Sequence, residues 1–575
     1  MLKREVQRRI LREDSPVCDH PIMLSTPEVR LLPLLCFAAS VIFNLPISGQ
    51  PASAGSSDRV SKVWNPDAGD GTYKNPILYA DYSDPDIIRV GSDFYLVASS
   101  FDAVPGLPIL HSKDLVHWEL IGHGFQQQPP IDAYRAPQHG NGAWAPSLRY
   151  HAGEFFIFYP DPNYGIYMIK SRSIHGPWSD PLLIKAARGW IDPCPLWDDD
   201  GKAYLVNGLA ASRAGVKSAV VLSRMSPDGS KLLDDGAMII DGHDLDPTLE
   251  GPKIYKRRGY YYVSAPAGGV PTGWQVVYRS KSIYGPYERR VVLAQGSTAI
   301  NGPHQGAWVD TVEGEDWFIH FQDMGPYGRV VCLEPMHWSG DDWPVIGVNQ
   351  SVAGTGEPVA TSRKPKAPPG AAIYTPADSD EFNGPALGLQ WQWQTNSQPG
   401  WAFPAPSIGA LRLVNIPAEG VDVNLWNVPN VLLQKFPGPA FTVTAKLRFT
   451  PRFAGDETGL VVMGRSYSAL TIQKIGTEIR IWQVTRLHAD NGGSSAESPK
   501  VSVQGDTFWL RAIVDRQAMV SFSYSLDGKV FQTAGTPFQA TVGGWVGAKV
   551  GIFAIGSATH GEFGYADYDW FRFEK

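Results

Sequence analysis

Cysteine is scarce in this chain: there are four in 575 residues, and two of them, Cys18 and Cys36, fall in the N-terminal stretch. Cys194 and Cys332 remain. One distant pair is neither a disulfide framework nor a zinc-ligand pattern, so buried free thiols are expected, with a single disulfide as the open alternative. Charge is also sparse, at 19% of residues with a net of -7. No basic surface is on offer, which excludes nucleic acid and acidic polymers as partners. Long apolar runs are nearly absent. Leu31 to Ile47 comes nearest, but it is broken by Pro33, Asn44 and Pro46 and is short for a membrane span. The small residues Ala52-Ser53-Ala54 follow it, as at a signal-peptidase site. We read residues 1–54 as a signal peptide and the mature protein as secreted or periplasmic, with no membrane attachment after cleavage. An uncleaved anchor is the alternative, and Met23 is a second candidate start.

Glycine (59), proline (47) and aromatics (19 Trp, 23 Tyr and 24 Phe) are abundant. That mixture favours many short strands and turns over long helices. A hydrophobic content of 43% allows a large core and argues against global disorder. The length suggests two or three domains. Most of the aromatics are core material. The others suit a neutral ligand with C–H faces to stack on, which describes a sugar better than an ion.

From residue 84 to about 347 one unit recurs five times. Its second strand is the clearest part: Asp93-Phe94-Tyr95-Leu96-Val97, Glu154-Phe155-Phe156-Ile157-Phe158, Lys202-Ala203-Tyr204-Leu205-Val206, Tyr260-Tyr261-Tyr262-Val263-Ser264 and Asp316-Trp317-Phe318-Ile319-His320. A later part recurs too, as Ser171-Arg172-Ser173-Ile174-His175-Gly176-Pro177-Trp178 and Ser280-Lys281-Ser282-Ile283-Tyr284-Gly285-Pro286-Tyr287. A period of roughly 50–60 residues with several strands per unit predicts a five-bladed β-propeller over residues 70–350. A row of sandwiches would not repeat at the residue level.

The second aromatic position of each unit serves as a ruler: Tyr95, Phe156, Tyr204, Tyr262 and Phe318. Asp84 stands eleven residues before its ruler, and Asp192 and Glu250 stand twelve before theirs; the equivalent places in the other two units hold Trp144 and Gly306. The first strand of a propeller blade lines the central channel. Three acids from blades one, three and four are therefore expected to meet at one mouth of it. Each alone would read as a turn-capping carboxylate; three at one repeat position read as chemistry. Glycoside hydrolysis needs one acid to protonate the leaving oxygen and one carboxylate to act at the anomeric carbon or its water. A third nearby acid helps hold a proton in place, because like charges resist joint ionisation.

These residues also carry a family resemblance. Asn75-Pro76-Ile77-Leu78, Asp84-Pro85-Asp86-Ile87-Ile88-Arg89-Val90-Gly91, Trp144-Ala145-Pro146-Ser147, Ile191-Asp192-Pro193, Asp198-Asp199-Asp200-Gly201, Glu250-Gly251-Pro252 with Tyr255, Gly328-Arg329 and the closing Trp338 with Asp342-Trp343-Pro344 resemble glycoside hydrolase family 43, in order and across nearly the whole propeller. The resemblance implies a five-bladed propeller, an inverting mechanism and plant-pentosan substrates. It implies Asp84 as the general base, Asp192 as the residue that tunes the acid and orients substrate, and Glu250 as the general acid. Asp81 and Asp86 are rival bases by proximity, with Asp86 expected on the other strand face. Inversion would place base and acid roughly 6.5–9.5 Å apart. Arg329 resembles the pocket arginine that bonds sugar hydroxyls. His304 resembles a fifth-blade histidine on the channel axis, which in some relatives supports a calcium or water cluster. Trp144 and Phe101 are candidate stacking residues. No cofactor is required; a calcium ion near His304 or in the C-terminal domain is left open. Two departures leave the sugar unset. Phe101-Asp102-Ala103-Val104-Pro105-Gly106 lacks an expected aromatic wall, and Lys253 follows Pro252 where His is common.

Residues 351–372 read as a linker. Residues 373–575 show short alternating strands, such as Phe441-Thr442-Val443-Thr444-Ala445-Lys446-Leu447, and suggest a lectin-like jelly-roll β-sandwich. They resemble the C-terminal domain of family 43 xylosidases, which packs on the propeller and lends a residue to the pocket rim. That implies a closed pocket and exo action. Asp380 and Asp569 are the candidates for a shared calcium there. The expected function is an exported, inverting exo-glycosidase on xylo- or arabino-oligosaccharides, as a β-1,4-xylosidase, an α-L-arabinofuranosidase or both. An endo-arabinanase with an open groove and a non-catalytic carbohydrate-binding propeller are the alternatives. The sequence does not set the oligomeric state.

Overall fold

The second strand of each unit buries both faces, and alternate residues go to different neighbours. Phe156 and Phe158 pack with Ala203 and Leu205 of the following unit, whereas Phe155, Ile157 and Tyr159 join a cluster with Val97, Leu107 and Ile109 of the preceding one. Tyr204 and Val206 pack forward against Ile254 and Val263. Phe94 and Leu96 meet Trp317 and Ile319, so the first unit touches the last and the ring closes. Each such side chain removed from water contributes on the order of 1.5–3 kcal/mol. The aromatic-rich strand is therefore what joins the blades.

The computed structural model describes residues 60–352, 354–367, 372–418 and 422–575. The proposed signal peptide, residues 1–54 with Cys18 and Cys36, lies outside them. Five antiparallel sheets at residues 86–125, 147–186, 190–241, 253–294 and 304–346 form a five-bladed β-propeller. Its inner strands are Asp86–Val90, Ser147–His151, Trp190–Trp197, Lys253–Arg257 and His304–Asp310. A segment ahead of blade one clips onto blade five: Leu78 bridges Val331, and the Tyr73 hydroxyl donates to Leu333 O at 2.6 Å. Cys194 and Cys332 are buried and free. Among the described residues no helix is long and apolar enough to cross a membrane.

Residues 354–367, within and beside the stretch read as a linker, are built into the propeller. Thr355–Glu357 adds to the sheet of blade four, and Thr361–Arg363 pairs with Thr72–Lys74. Composition suggested a linker, and these residues pair with strands that precede them in the chain. The glycine instead permits contact, since a Cβ on Gly356 would sit 1.5 Å from Ile346 O.

The C-terminal region is a β-sandwich of two sheets. Strand Phe441–Thr450 follows the period-two rule: Phe441, Val443, Ala445, Leu447 and Phe449 are buried, and Lys446 and Arg448 turn outward. One hydrophobic cluster runs from blades one and two into this sandwich, through Val104, Trp391 and Trp393. Val104 and Trp393 exchange backbone hydrogen bonds of 3.1 and 2.7 Å across the boundary. The two regions thus share a core.

Candidate active site

Asp84, Asp192 and Glu250 line one cavity of about 450 Å³ at a mouth of the propeller channel. Trp144, Phe101 and Arg329 line it as well. Asp84 and Glu250 lie just before the first strand of their blades, and Asp192 lies at a bulge near the start of its own. The backbone there is held unusually. Sixteen described non-glycine residues have positive φ, and six of them (Asp84, Phe101, Asp192, Thr248, Gln305 and Trp545) line this cavity, with φ from 40° to 65°. Such conformations cost on the order of 1–3 kcal/mol each and collect at functional sites. Here they turn side chains off the strand and into the cavity.

The three acids have different surroundings. Asp84 accepts from Ser99 Oγ at 2.6 Å and from Arg329 Nη1 at 3.0 Å. Asp192 is buried and accepts from the Gly251 N–H at 2.7 Å. Burial, then the charge of Glu250 and of Asp84, holds the Asp192 carboxyl well above the usual carboxylate range. Glu250 is more open, with 27% of its side chain exposed, and His304 Nε2 lies 2.9 Å from its Oε1.

The rival bases are occupied elsewhere. Asp81 accepts from Ser83 Oγ, the Arg329 N–H and the Gly547 N–H, so it ties the Arg329 loop to the sandwich. Gly328 makes this approach possible, since a Cβ there would lie 2.5 Å from Asp81 Cβ. Asp86 accepts from the Leu148 N–H and from Arg149, both at 2.7 Å, and Lys253 Nζ is 3.6 Å away. Lys253, the departure in the acid motif, also donates to Pro146 O and Ser147 Oγ. It knits blade four to blade two.

The resemblance also implied His304 as a substrate-binding residue, and the structure sets it back from the cavity. It is 1% exposed and does not line the cavity, but stands behind Glu250. One ring nitrogen is engaged with Glu250, and the other, Nδ1, is buried without a protein partner. The two acids of the sandwich have protein partners of their own. Asp380 accepts from the Phe382 N–H and Trp391 Nε1, and Asp569 pairs with Lys446. Among the described residues no group of three or more His, Cys, Asp or Glu is placed to hold a metal ion.

Two contributions to the site were missed. The sandwich supplies Arg465, Val542, Gly543, Trp545 and Val546 to the wall. Trp545 stands edge-on to Trp144 with ring centroids 6.1 Å apart. A rim contribution was expected, but no sequence signal marked Trp545. The second is Gln305, for which a signal existed. The ruler in blade five was set one residue late: Phe318 packs back toward Tyr262 of blade four, and Trp317 packs forward onto blade one. Twelve residues before Trp317 stands Gln305, not Gly306. The five equivalent places are therefore Asp84, Trp144, Asp192, Glu250 and Gln305, one per blade, and all five line the cavity.

A five-bladed propeller with three carboxylates at one end of its axis, one of them raised in proton affinity by burial and then by its acidic neighbours, defines a carboxylate-dependent glycoside hydrolase. The comparisons make this specific. The profile of Glycosyl hydrolases family 43 matches residues 73–344, and that of the Beta xylosidase C-terminal Concanavalin A-like domain matches residues 379–574. A Beta-xylosidase of Formosa agariphila is 32% identical over 88% of this chain and 91% of its own. A Non-reducing end alpha-L-arabinofuranosidase of Bacteroides ovatus is 29% identical over 87% and 94%. The crystal structure of a family 43 protein from Bacillus licheniformis superposes with a TM-score of 0.75 at 29% identity, covering 88% of this chain and 99% of that one. The chain belongs to glycoside hydrolase family 43 and is an enzyme that hydrolyses glycosidic bonds in carbohydrate substrates.

Proposed function

We propose that the enzyme removes single pentose units from the non-reducing ends of xylo- or arabino-oligosaccharides with inversion, as a β-xylosidase, an α-L-arabinofuranosidase or both. The observation that carries this reading is the cavity: three acids at its floor, and a wall completed by Trp545 and Arg465 from the sandwich. A walled pocket suits a chain end; the endo-arabinanase alternative would need an open groove. The names of the relatives favour the same two sugars.

In this reading Asp84 draws a proton from water, held by Ser99 and Arg329 for the task. Glu250 protonates the leaving oxygen. Asp192 keeps a proton in the acid pair, because two adjacent carboxyls, one of them buried, resist losing both, and it orients the sugar. Arg329, Trp144 and Phe101 hold the sugar ring. Nitrophenyl β-xyloside and nitrophenyl α-L-arabinofuranoside assayed side by side, with the anomer of the first-formed product read by NMR, test the assignment. Retention of configuration, or cleavage only inside long arabinans, would overturn it. We also propose export with cleavage near Ala54, supported by the Leu31 to Ile47 run; an N-terminus of the secreted protein elsewhere than this region would refute it.

A further inference from the structure

Blade three and blade five begin alike. In blade three Ile191 pairs with Gly208 and Cys194 with Val206, and the register slips between them. In blade five His304 pairs with Phe321 and Ala307 with Ile319, with a slip at the same place. Each bulge carries one side chain into the cavity from a positive φ: Asp192 at 56° and Gln305 at 40°. The two residues hold one structural position in two blades. A bulge re-aims a side chain.

The surroundings of Gln305 are built for it. It is 4% exposed. Its Cγ and Cδ lie where a Cβ on Gly251 would come within 3.0 Å, so the glycine after Glu250 makes its space. Its Nε2 is buried with no hydrogen-bond partner of full geometry, although a buried unpaired N–H is disfavoured by roughly 1–3 kcal/mol. The side chain lies beside Asp192 and favours the ionised form of that carboxyl.

We propose that Gln305 is a positioning residue of the hydrolytic site. Its amide N–H orients Asp192, and its amide oxygen accepts from a hydroxyl of the sugar held against the three acids. A neutral amide suits the place, because a fourth carboxylate would add repulsion to Asp84, Asp192 and Glu250. The other groups near Asp192 stay as described: the Gly251 N–H on its oxygen, His304 behind Glu250 and Arg329 on Asp84. This inference rests on the family 43 hydrolytic reading.

Three variants test it in the full-length enzyme. Asn tolerates positive φ, so Gln305→Asn keeps the bulge while its amide falls one methylene short. We expect Gln305→Asn and Gln305→Ala to lower kcat/KM about tenfold to a hundredfold, as when a site's hydrogen bond to substrate is lost. The alkaline limb of their pH profile should move upward, because Asp192 then holds its proton to higher pH. Gln305→Glu should be impaired at neutral pH and regain activity as the pH falls, since a protonated Glu matches Gln in shape. Titration with xylose and with arabinose, which needs no turnover, should show the same weakening in Gln305→Asn. Lack of wild-type turnover would sink the activity reading and leave the sugar titration to judge Gln305. The proposal fails if the variants keep wild-type kcat/KM, pH profile and sugar binding. It also fails if activity drops only in step with thermal stability, without a shift of the alkaline limb or recovery of Gln305→Glu at low pH.

Discussion

Asp84 and Asp86 are two residues apart and both buried, yet they do opposite things. Asp86 is matched in charge: Arg149 and the Leu148 N–H hold one oxygen, and the Lys253 ammonium stands 3.6 Å from the other. Asp84 has a hydroxyl and one guanidinium as partners and opens on the cavity. The middle of the channel has its charge neutralised in place, and its mouth keeps charge in reserve. Burial alone therefore does not separate a structural carboxylate from a chemical one; what separates them is whether the protein has already supplied its partners. The sharpest way to break this comparison is to remove charge at the mouth. Glu250→Gln should lower kcat on xylo-oligosaccharides by about 10²–10⁴-fold, and much less on a dinitrophenyl pentoside, whose leaving group needs no proton. Asp84→Ala should lose a similar factor on both substrates. Equal sensitivity of Glu250→Gln to the two leaving groups would refute its role as the acid.

The same comparison predicts an opposite pattern one turn of chain further in. Asp86→Ala leaves Arg149 and Lys253 buried without their counter-charge, which costs about 3–5 kcal/mol. Thermal unfolding should show the loss, while the protein that remains folded at low temperature keeps near-normal KM. An Asp86→Ala protein as stable as wild type would mean the pair is not the structural one. Asp192 should respond in the other direction. Its raised proton affinity means the folded state holds a proton that the unfolded chain has released. Stability therefore falls as pH rises from the ordinary carboxylate value through the raised one. Asp192→Asn removes that loss and can still accept from Gly251. Its unfolding temperature should rise by about 2–4 °C at neutral pH, with the gain shrinking near pH 4, while activity is lost. A gain that is equal at both pH values would show that the burial argument is wrong.

How much of this was legible beforehand depends on whether a residue repeats. The propeller and its three acids were legible because the unit recurs and each copy checks the others. The place of Gln305 was missed for the same reason turned round: the ruler assumed that one aromatic of each pair faces forward, and Trp317 and Phe318 reverse this in blade five. The paired status of Asp86 was not legible: residues two apart on a strand share a face, so setting Asp86 on the other face was no guide, and Arg149 and Lys253 were not foreseen as its partners. His304 was read from resemblance alone and stands one layer behind its expected place. Trp545 could not be read at all. It comes from a domain without internal repeats, and its function depends on a surface more than 400 residues away in sequence.

Trp545 gives the gentlest test. It is 54% exposed and held at φ 65° on a sandwich loop, where Gly544 packs against Gly140 and the Ala548 N–H donates to Pro326 O at 2.7 Å. A large exposed aromatic in a left-handed conformation is costly twice over, so the ring should serve the cavity. Trp545→Ala removes the ring and keeps the strained backbone; Trp545→Gly removes the ring and relieves it. If the ring closes the pocket, both should raise KM by about 2–10-fold, the worth of one aromatic contact, with kcat less affected. Trp545→Gly should be the more stable of the two. With the wall lowered, a long arabinan or xylan chain should begin to yield internal cleavage products alongside single sugars. If Trp545→Gly instead restored wild-type KM, the loop's conformation would be the functional element, and the sandwich would support the propeller without shaping its substrate.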